Sequence, residues 1–102
     1  MNDKQDHFEV LRKIYNEPKS SQRKMAGDLG FSLGKLNYCI KALQSKGLIK
    51  IKNFNNKKDK VKYLQRYILT AEGISERTRL TINFMKRKMK EYDELKKELE
   101  KL

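Results

Sequence analysis

Apolar residues recur along this chain at a helical period, then at a period of two, then at a helical period again. In residues 7–15 (HFEVLRKIY), Phe8, Leu11 and Tyr15 share one helical face, with Ile14 beside them. Asn16, Glu17 and Pro18 end that pattern, because a proline pushes the residue before it out of the helical region. A second short helix is predicted from Ser21, whose hydroxyl can cap it, through Met25, Ala26 and Leu29 to Gly30. Gly30 suits the position just past a helix end, where a positive φ is cheap only for glycine. Ser32 then caps a third helix in which Leu36, Ile40 and Leu43 follow at i, i+4 and i+7, and Gly47 closes it. Two short helices joined so tightly predict a helix-turn-helix.

After Gly47 the alternation changes. LIKIKNF sets Leu48, Ile49 and Ile51 among Lys50 and Lys52, and VKYLQRYIL sets Val61, Tyr63, Tyr67 and Leu69 at period two, with Leu64 and Ile68 on the other face. The polar segment NNKKDK between them predicts a turn, so the whole reads as a two-stranded hairpin with a basic tip, a wing. Thr70 can cap a last helix that runs to the end of the chain. There Met85, Lys88, Tyr92, Leu95, Leu99 and Leu102 follow the spacing of a heptad seam with one polar break at Lys88, flanked by charges of both signs. The predicted fold is therefore mainly α with a small β-hairpin. A winged helix-turn-helix domain occupies residues 7–69, and residues 70–102 form a long C-terminal helix for dimerisation. Met85, Tyr92, Leu95, Leu99 and Leu102 are the dimerisation residues, since a monomer would leave this stripe wet. The alternative is that the helix folds back along its own domain.

Charge narrows the partner. The net charge is +12, and residues 1–69 carry sixteen Lys/Arg against six Asp/Glu, while residues 70–102 carry nine against seven. Between 35 and 66 there are ten basic residues and a single acid, Asp59. A basic field concentrated on one segment favours a polyanion, nucleic acid first; the bland reading is a solvated lysine-rich surface. No apolar run approaches a membrane span and the N-terminus lacks a secretory pattern, so the chain reads as cytoplasmic. One cysteine excludes an intramolecular disulfide framework. The lone His7 and Cys39, with no metal-ligand set, glycine-rich phosphate loop or usefully spaced acid pair, give no support to an enzyme, and no cofactor or metal is expected. Cys39 lies beside Leu36 and Leu43 in helical angle and reads as a small buried filler rather than a thiol switch.

The third helix carries the candidate chemistry. With Leu36, Ile40 and Leu43 inward, Gly34, Lys35, Asn37, Tyr38 and Lys41 lie on or near the outer side, a surface suited to the major groove. Asn37 can bond bidentately to adenine, and Lys35 or Lys41 can meet guanine or a phosphate. Ser32 can contact a phosphate, Gly34 permits close approach, and Tyr38 can stack on sugar or touch a thymine methyl. Gln22 and Arg23, at the start of helix two, are candidate phosphate clamps that set register without reading sequence. At the hairpin tip, Asn55 and Asn56 favour turn conformations, while Lys57, Lys58 and Lys60 reach phosphates or the adjacent minor groove. Each of these residues is otherwise an ordinary solvated side chain, and Arg66 equally suits pairing with an acid. The signal lies in the order of elements.

SSQRKMAGDLGFSLGKLNYCIKALQSKGLIKIKNF, YILTAEGI and FMKRKMKEYDELKKELEKL together resemble the small MarR-type winged-helix regulators associated with extracellular polysaccharide (EPS) gene clusters. The likeness covers about residues 7–100 and is narrowest at Ser32 to Cys39 combined with Leu69 to Gly73. It implies a homodimer on a pseudo-palindromic double-stranded DNA site, with the helix beginning at Leu33 in the major groove and the 55–60 loop as the wing. Larger MarR proteins dimerise through an N-terminal helix as well as C-terminal ones and often hold a phenolic ligand between interface and DNA-binding domain. This chain starts almost directly at the first core helix and has one C-terminal helix, which makes a small-molecule effector pocket doubtful. The rival expectations are an RNA-binding or architectural winged helix using the same basic face, and a coiled-coil protein-interaction module.

Overall fold

The computed structural model describes residues 3–54 and 64–102. Within them the order is α1 (Asp3–Asn16), α2 (Gln22–Leu29), α3 (Leu33–Ser45), β1 (Ile49–Phe54), β2 (Leu64–Leu69) and α4 (Ala71–Glu100). The wing-tip residues Asn55, Asn56, Lys57, Lys58 and Lys60, with Val61 and Tyr63, lie outside the described residues.

Helices α2, α3 and α4 each begin where a hydroxyl can accept a backbone N–H that has no partner within the helix. Ser21 Oγ accepts from Lys24 N at 3.1 Å, Ser32 Oγ from Lys35 N at 3.0 Å, and Thr70 Oγ1 from Gly73 N at 3.0 Å. Helix α2 ends at Gly30, which sits at φ 71°, ψ 26° and turns the chain into α3. The next residue, Phe31, donates its N–H back to the Ala26 carbonyl at 2.8 Å, so the tight turn closes on the helix it leaves.

The core forms where α1, α2 and α3 meet. It comprises Phe8, Val10, Leu11 and Ile14 from α1, Met25 and Ala26 from α2, Leu36, Cys39, Ile40 and Leu43 from α3, and Ile49 from β1. Leu29, Phe31, Leu48, Tyr67, Leu69 and Leu80 close its edges. Two details differ from the sequence expectation. Helix α1 starts four residues before position 7, at Asp3, and Val10 is fully buried whereas Tyr15 is 48% exposed. Neighbouring elements decide this: α1 lies between α3 and α4, and the Tyr15 ring is covered by the Arg77 guanidinium of α4, 4.0 Å from its centroid, rather than by apolar side chains.

The strands pair antiparallel, with Ile49 opposite Leu69, Ile51 opposite Tyr67 and Lys52 opposite Arg66. One face of the hairpin joins the core through Ile49, Tyr67 and Leu69. On the other side Arg66 Nε donates to the Lys19 carbonyl at 3.1 Å and ties the wing to the α1–α2 loop.

Thr70 joins hairpin and α4. Its N–H donates to the Leu48 carbonyl at 3.0 Å and its hydroxyl to the Gly47 carbonyl at 2.6 Å. Three residues on, the buried Gly73 faces the same carbonyl; a Cβ there would lie 1.9 Å from Leu48 O and 2.9 Å from Leu48 C. Only a residue without a side chain allows α4 to leave the sheet at this angle. The 30-residue α4 then runs along α1, where Leu80 packs on the core and Phe84 meets Phe8 at 5.8 Å between ring centroids. It continues beyond the domain and stretches the molecule to 65 × 26 × 25 Å.

At the opposite corner, Asp28 of α2 accepts from Lys13 and Lys24 at 2.8 Å each, and Lys13 also pairs with Glu17. These ammonium groups, Lys13 before Lys24, hold the Asp28 carboxyl down to about 2. A depressed carboxylate stabilises the fold above its ordinary range, and that contribution disappears as pH falls from about 4 toward 2. Replacing Asp28 with Asn should accordingly lower the melting temperature at pH 6 by more than at pH 2.5, and equal losses at both pH values would contradict the assignment. Replacing Gly73 with Ala forces its methyl group into the Leu48 carbonyl and should destabilise by about 1–3 kcal/mol or more; urea denaturation measures it, and an unchanged midpoint would refute the close approach.

Candidate nucleic-acid interface

Helix α3 divides into two faces. Leu36, Cys39, Ile40 and Leu43 are buried, and Ser32, Leu33, Gly34, Asn37, Tyr38, Lys41 and Gln44 are exposed. Because Leu36, Ile40 and Leu43 hold the helix from within, the amide of Asn37, the phenol of Tyr38 and the ammonium of Lys41 present donors and an aromatic edge on a rigid element. Ser32 uses its oxygen to cap the helix, which leaves its O–H able to donate to a phosphate. Neither α2 nor α3 carries an acid in its first turn, so the positive end of each helix dipole is not neutralised locally. Gln22 and Arg23 are exposed on the first turn of α2, which packs against α3.

Lys35 is the exception among the predicted residues. Its Nζ lies 3.3 Å from Asp6 of α1 and 4.2 Å from the centroid of the Phe31 ring, so the side chain turns back over the N-terminal end of α1. Helical angle placed Lys35 near the outer side. An acid about thirty positions earlier, brought alongside by packing of α1 on α3, draws the ammonium toward the domain.

Sequence reasoning passed over two parts of this surface. Leu33, at the first position of α3, is half exposed and carries no charge to mark it. Lys50 and Lys52 on β1 are exposed beside the α3 end of the wing; they were visible as the polar half of the alternation but were not assigned a role.

Helix α4 leaves an apolar stripe exposed beyond the domain. Met85, Tyr92, Leu95, Leu99 and Leu102, the residues expected from the heptad spacing, are all exposed, and so are Ile82 and Met89. Met89 lies beside Lys88 on the stripe, and the Lys88 ammonium sits 5.4 Å from the Phe84 ring and 3.4 Å from Glu91.

Between α1 and α4 lies a cleft of about 280 Å3 lined by Leu11, Leu43, Leu48 and Leu80, with Lys4, His7, Lys46, Glu76 and Arg79 around it. No helix among the described residues is long and apolar enough to cross a membrane, and no group of His, Cys, Asp and Glu among them could hold a metal ion.

Residues 7–50 match a family model described as winged helix-turn-helix DNA-binding. No protein of curated function matches in sequence. Solved structures do match in fold. Staphylococcus aureus MarR in complex with salicylate and kanamycin superposes with a TM-score of 0.67 at 17% identity, over 87% of this chain and 57% of that one. The PcaV transcriptional regulator of Streptomyces coelicolor, in complex with its natural ligand, gives 0.64 at 21% identity, over 79% of this chain and 55% of that one. Streptococcus pneumoniae FabT in complex with DNA gives 0.59 at 19% identity, over 87% and 59%. The chain therefore has the fold of the MarR-type winged-helix regulators, and it spans a little over half the length of these three.

The comparison corrects one expectation. From the sequence a small-molecule effector is doubtful. Yet two matched proteins of this fold are seen with small molecules bound, salicylate and kanamycin in one and a natural ligand in the other. Counting elements along the sequence did not show the cleft that α1, the end of α3, Leu48 and α4 line together.

Proposed function

We propose that this chain is a sequence-specific transcriptional regulator that binds double-stranded DNA as a homodimer on a pseudo-palindromic site. The observation that supports the reading most directly is the two-faced α3. Its apolar side is anchored in the core while Asn37, Tyr38 and Lys41 stand exposed on the opposite side, in a fold whose matches include FabT in complex with DNA. In this reading residues 7–69 form the DNA-binding domain and residues 70–102 the dimerisation helix. Asn37 bonds an adenine edge, Lys41 a guanine or a phosphate, and Tyr38 a sugar or thymine methyl. Lys35 exchanges Asp6 for the DNA, and Gly34 lets the helix approach closely. Ser32, Gln22 and Arg23 hold phosphates and set register. Asn55 and Asn56 shape the wing tip, and Lys57, Lys58 and Lys60 meet the backbone or minor groove.

The dimer presents two α3 helices to successive major grooves on one face of the duplex, roughly 34 Å apart. The lysine-rich surface supplies a salt-sensitive attraction common to all sequences, and α3 discriminates at about 1–3 kcal/mol for each good bidentate pair. No catalysis or cofactor forms part of this function, which is exercised where DNA is, in the cytoplasm. Within the MarR-type fold, the run Ser32 to Cys39 together with Leu69 to Gly73 favours the group associated with EPS gene clusters.

Selection from a randomised duplex pool at near-physiological salt, followed by sequencing, tests the reading. An enriched inverted repeat is expected. Retention without enrichment would replace it with an architectural or RNA-binding role, and no retention with a protein-interaction module. On the selected site, Asn37→Ala should lose more affinity for the specific sequence than for random DNA. Lys57→Ala combined with Lys58→Ala should weaken both about equally and flatten the salt dependence. A uniform loss from Asn37→Ala would remove it from the reading surface.

A further inference from the structure

From Ile82 to the end of the chain the exposed apolar positions are arranged symmetrically about one residue. Ile82, Met85 and Met89 precede Tyr92 by ten, seven and three positions, and Leu95, Leu99 and Leu102 follow it by three, seven and ten. All seven are exposed in the single chain, between 45 and 70% for every one but the wholly exposed Leu102. Such spacing lets the stripe meet its own copy running the other way with apolar residues level with one another throughout. In an isologous contact a two-fold axis perpendicular to the helices brings residue 92 − n of one copy level with residue 92 + n of the other.

Charge points the same way. Before Tyr92 the helix carries Lys86, Arg87, Lys88 and Lys90 within five residues, with no acid among them. After it come Asp93, Glu94, Glu98 and Glu100, with Lys96, Lys97 and Lys101. A parallel, in-register pair would set four cations against the same four cations. An antiparallel pair about Tyr92 sets Lys86 level with Glu98 and Lys90 level with Glu94, twice by the symmetry, while Arg87 and Lys88 come level with Lys97 and Lys96.

We propose that two copies of this chain pair through α4 in antiparallel orientation, with the two-fold axis at Tyr92. Ile82 then lies level with Leu102 of the second copy, Met85 with Leu99 and Met89 with Leu95, while the segment 86–90 faces the segment 93–100. The inference rests on the homodimer reading above and adds to it the partner surface, its register and its direction. It also bears on how DNA is met. The part of α4 that packs on its own domain, Gly73 to Phe84, is centred about thirteen residues from Tyr92. At 1.5 Å per residue the two domains stand about 40 Å apart along the pair, close to the 34–36 Å between major grooves one turn apart.

Disulfide trapping in the full-length protein tests this, with the molecular mass in solution measured alongside. The native Cys39 is buried, so the unsubstituted protein serves as the blank. Met85→Cys, Tyr92→Cys and Leu99→Cys alter only exposed positions outside the core. In the antiparallel pair, two copies of position 85 are fourteen helical residues apart, about 21 Å, beyond the roughly 7 Å that a disulfide tolerates between Cα atoms. The expected result is a mass twice the 12.2 kDa of one chain, efficient self-crosslinking of Tyr92→Cys, little of Met85→Cys or Leu99→Cys alone, and a covalent dimer when these two are co-expressed. Self-crosslinking of Met85→Cys and of Leu99→Cys separately would overturn the antiparallel arrangement and leave the homodimer intact. A dimeric mass with no crosslink at any of the three positions would overturn α4 as the interface. The mass of one chain would remove the homodimer reading and this inference together.

Discussion

The backbone of α4 begins its first turn directly against the carbonyl of Leu48, with no side chain between them. Gly73 makes that approach possible, and Thr70 secures it with donations to Gly47 and Leu48. The contact joins three elements at one point. Gly47 and Leu48 follow α3, Leu48 leads into β1, and Thr70 closes β2 and opens α4. The end of the exposed helix, the base of the wing and the departure angle of the long helix are therefore a single geometric decision. If the helix were displaced by the width of a methyl group, the wing would no longer be held relative to α3, and the α4 stripe would leave the domain in another direction.

Around that joint the domain uses α1 as its central support. Its Val10, Leu11 and Ile14 are buried in the core shared with α2 and α3, while Phe8 and Tyr15 meet Phe84 and Arg77 of α4. The same helix reaches the candidate interface through Asp6, which holds the Lys35 ammonium back from the outer face of α3. An ion pair of this partly exposed kind is weak, so a phosphate can compete for the lysine. Domain stability and surface chemistry thus meet in α1, although none of its own residues was a candidate for contact.

The α4 stripe has a different physical character from the core. Core residues are buried by elements of the same chain, whereas Met85, Met89, Tyr92, Leu95 and Leu99 have no apolar cover within it. Exposed apolar surface of this extent on a charged helix marks an interaction site, and the helix is too far from its own domain at that point to bury it by folding back. The apolar stripe and the exposed face of α3 are consequently kept on separate elements joined through Thr70.

Much of this was legible in the sequence, because it depends on neighbours a few positions apart. Ser21, Ser32 and Thr70 start helices, and Gly30 ends one, for local hydrogen-bonding and steric reasons. The periodicity of Leu36, Ile40 and Leu43 specified the buried side of α3, and hence the exposure of Asn37, Tyr38 and Lys41. What remained illegible depends on residues far apart in the chain. Nothing near Tyr15 shows that Arg77 will cover it, nor does anything near Lys35 show that Asp6 will draw it inward. Nothing near Gly73 in the sequence shows that the Leu48 carbonyl will be set against it. Local periodicity determined which side of each helix is apolar; only tertiary packing decided which long-range partner each side chain meets, because that depends on the angle at which whole helices cross.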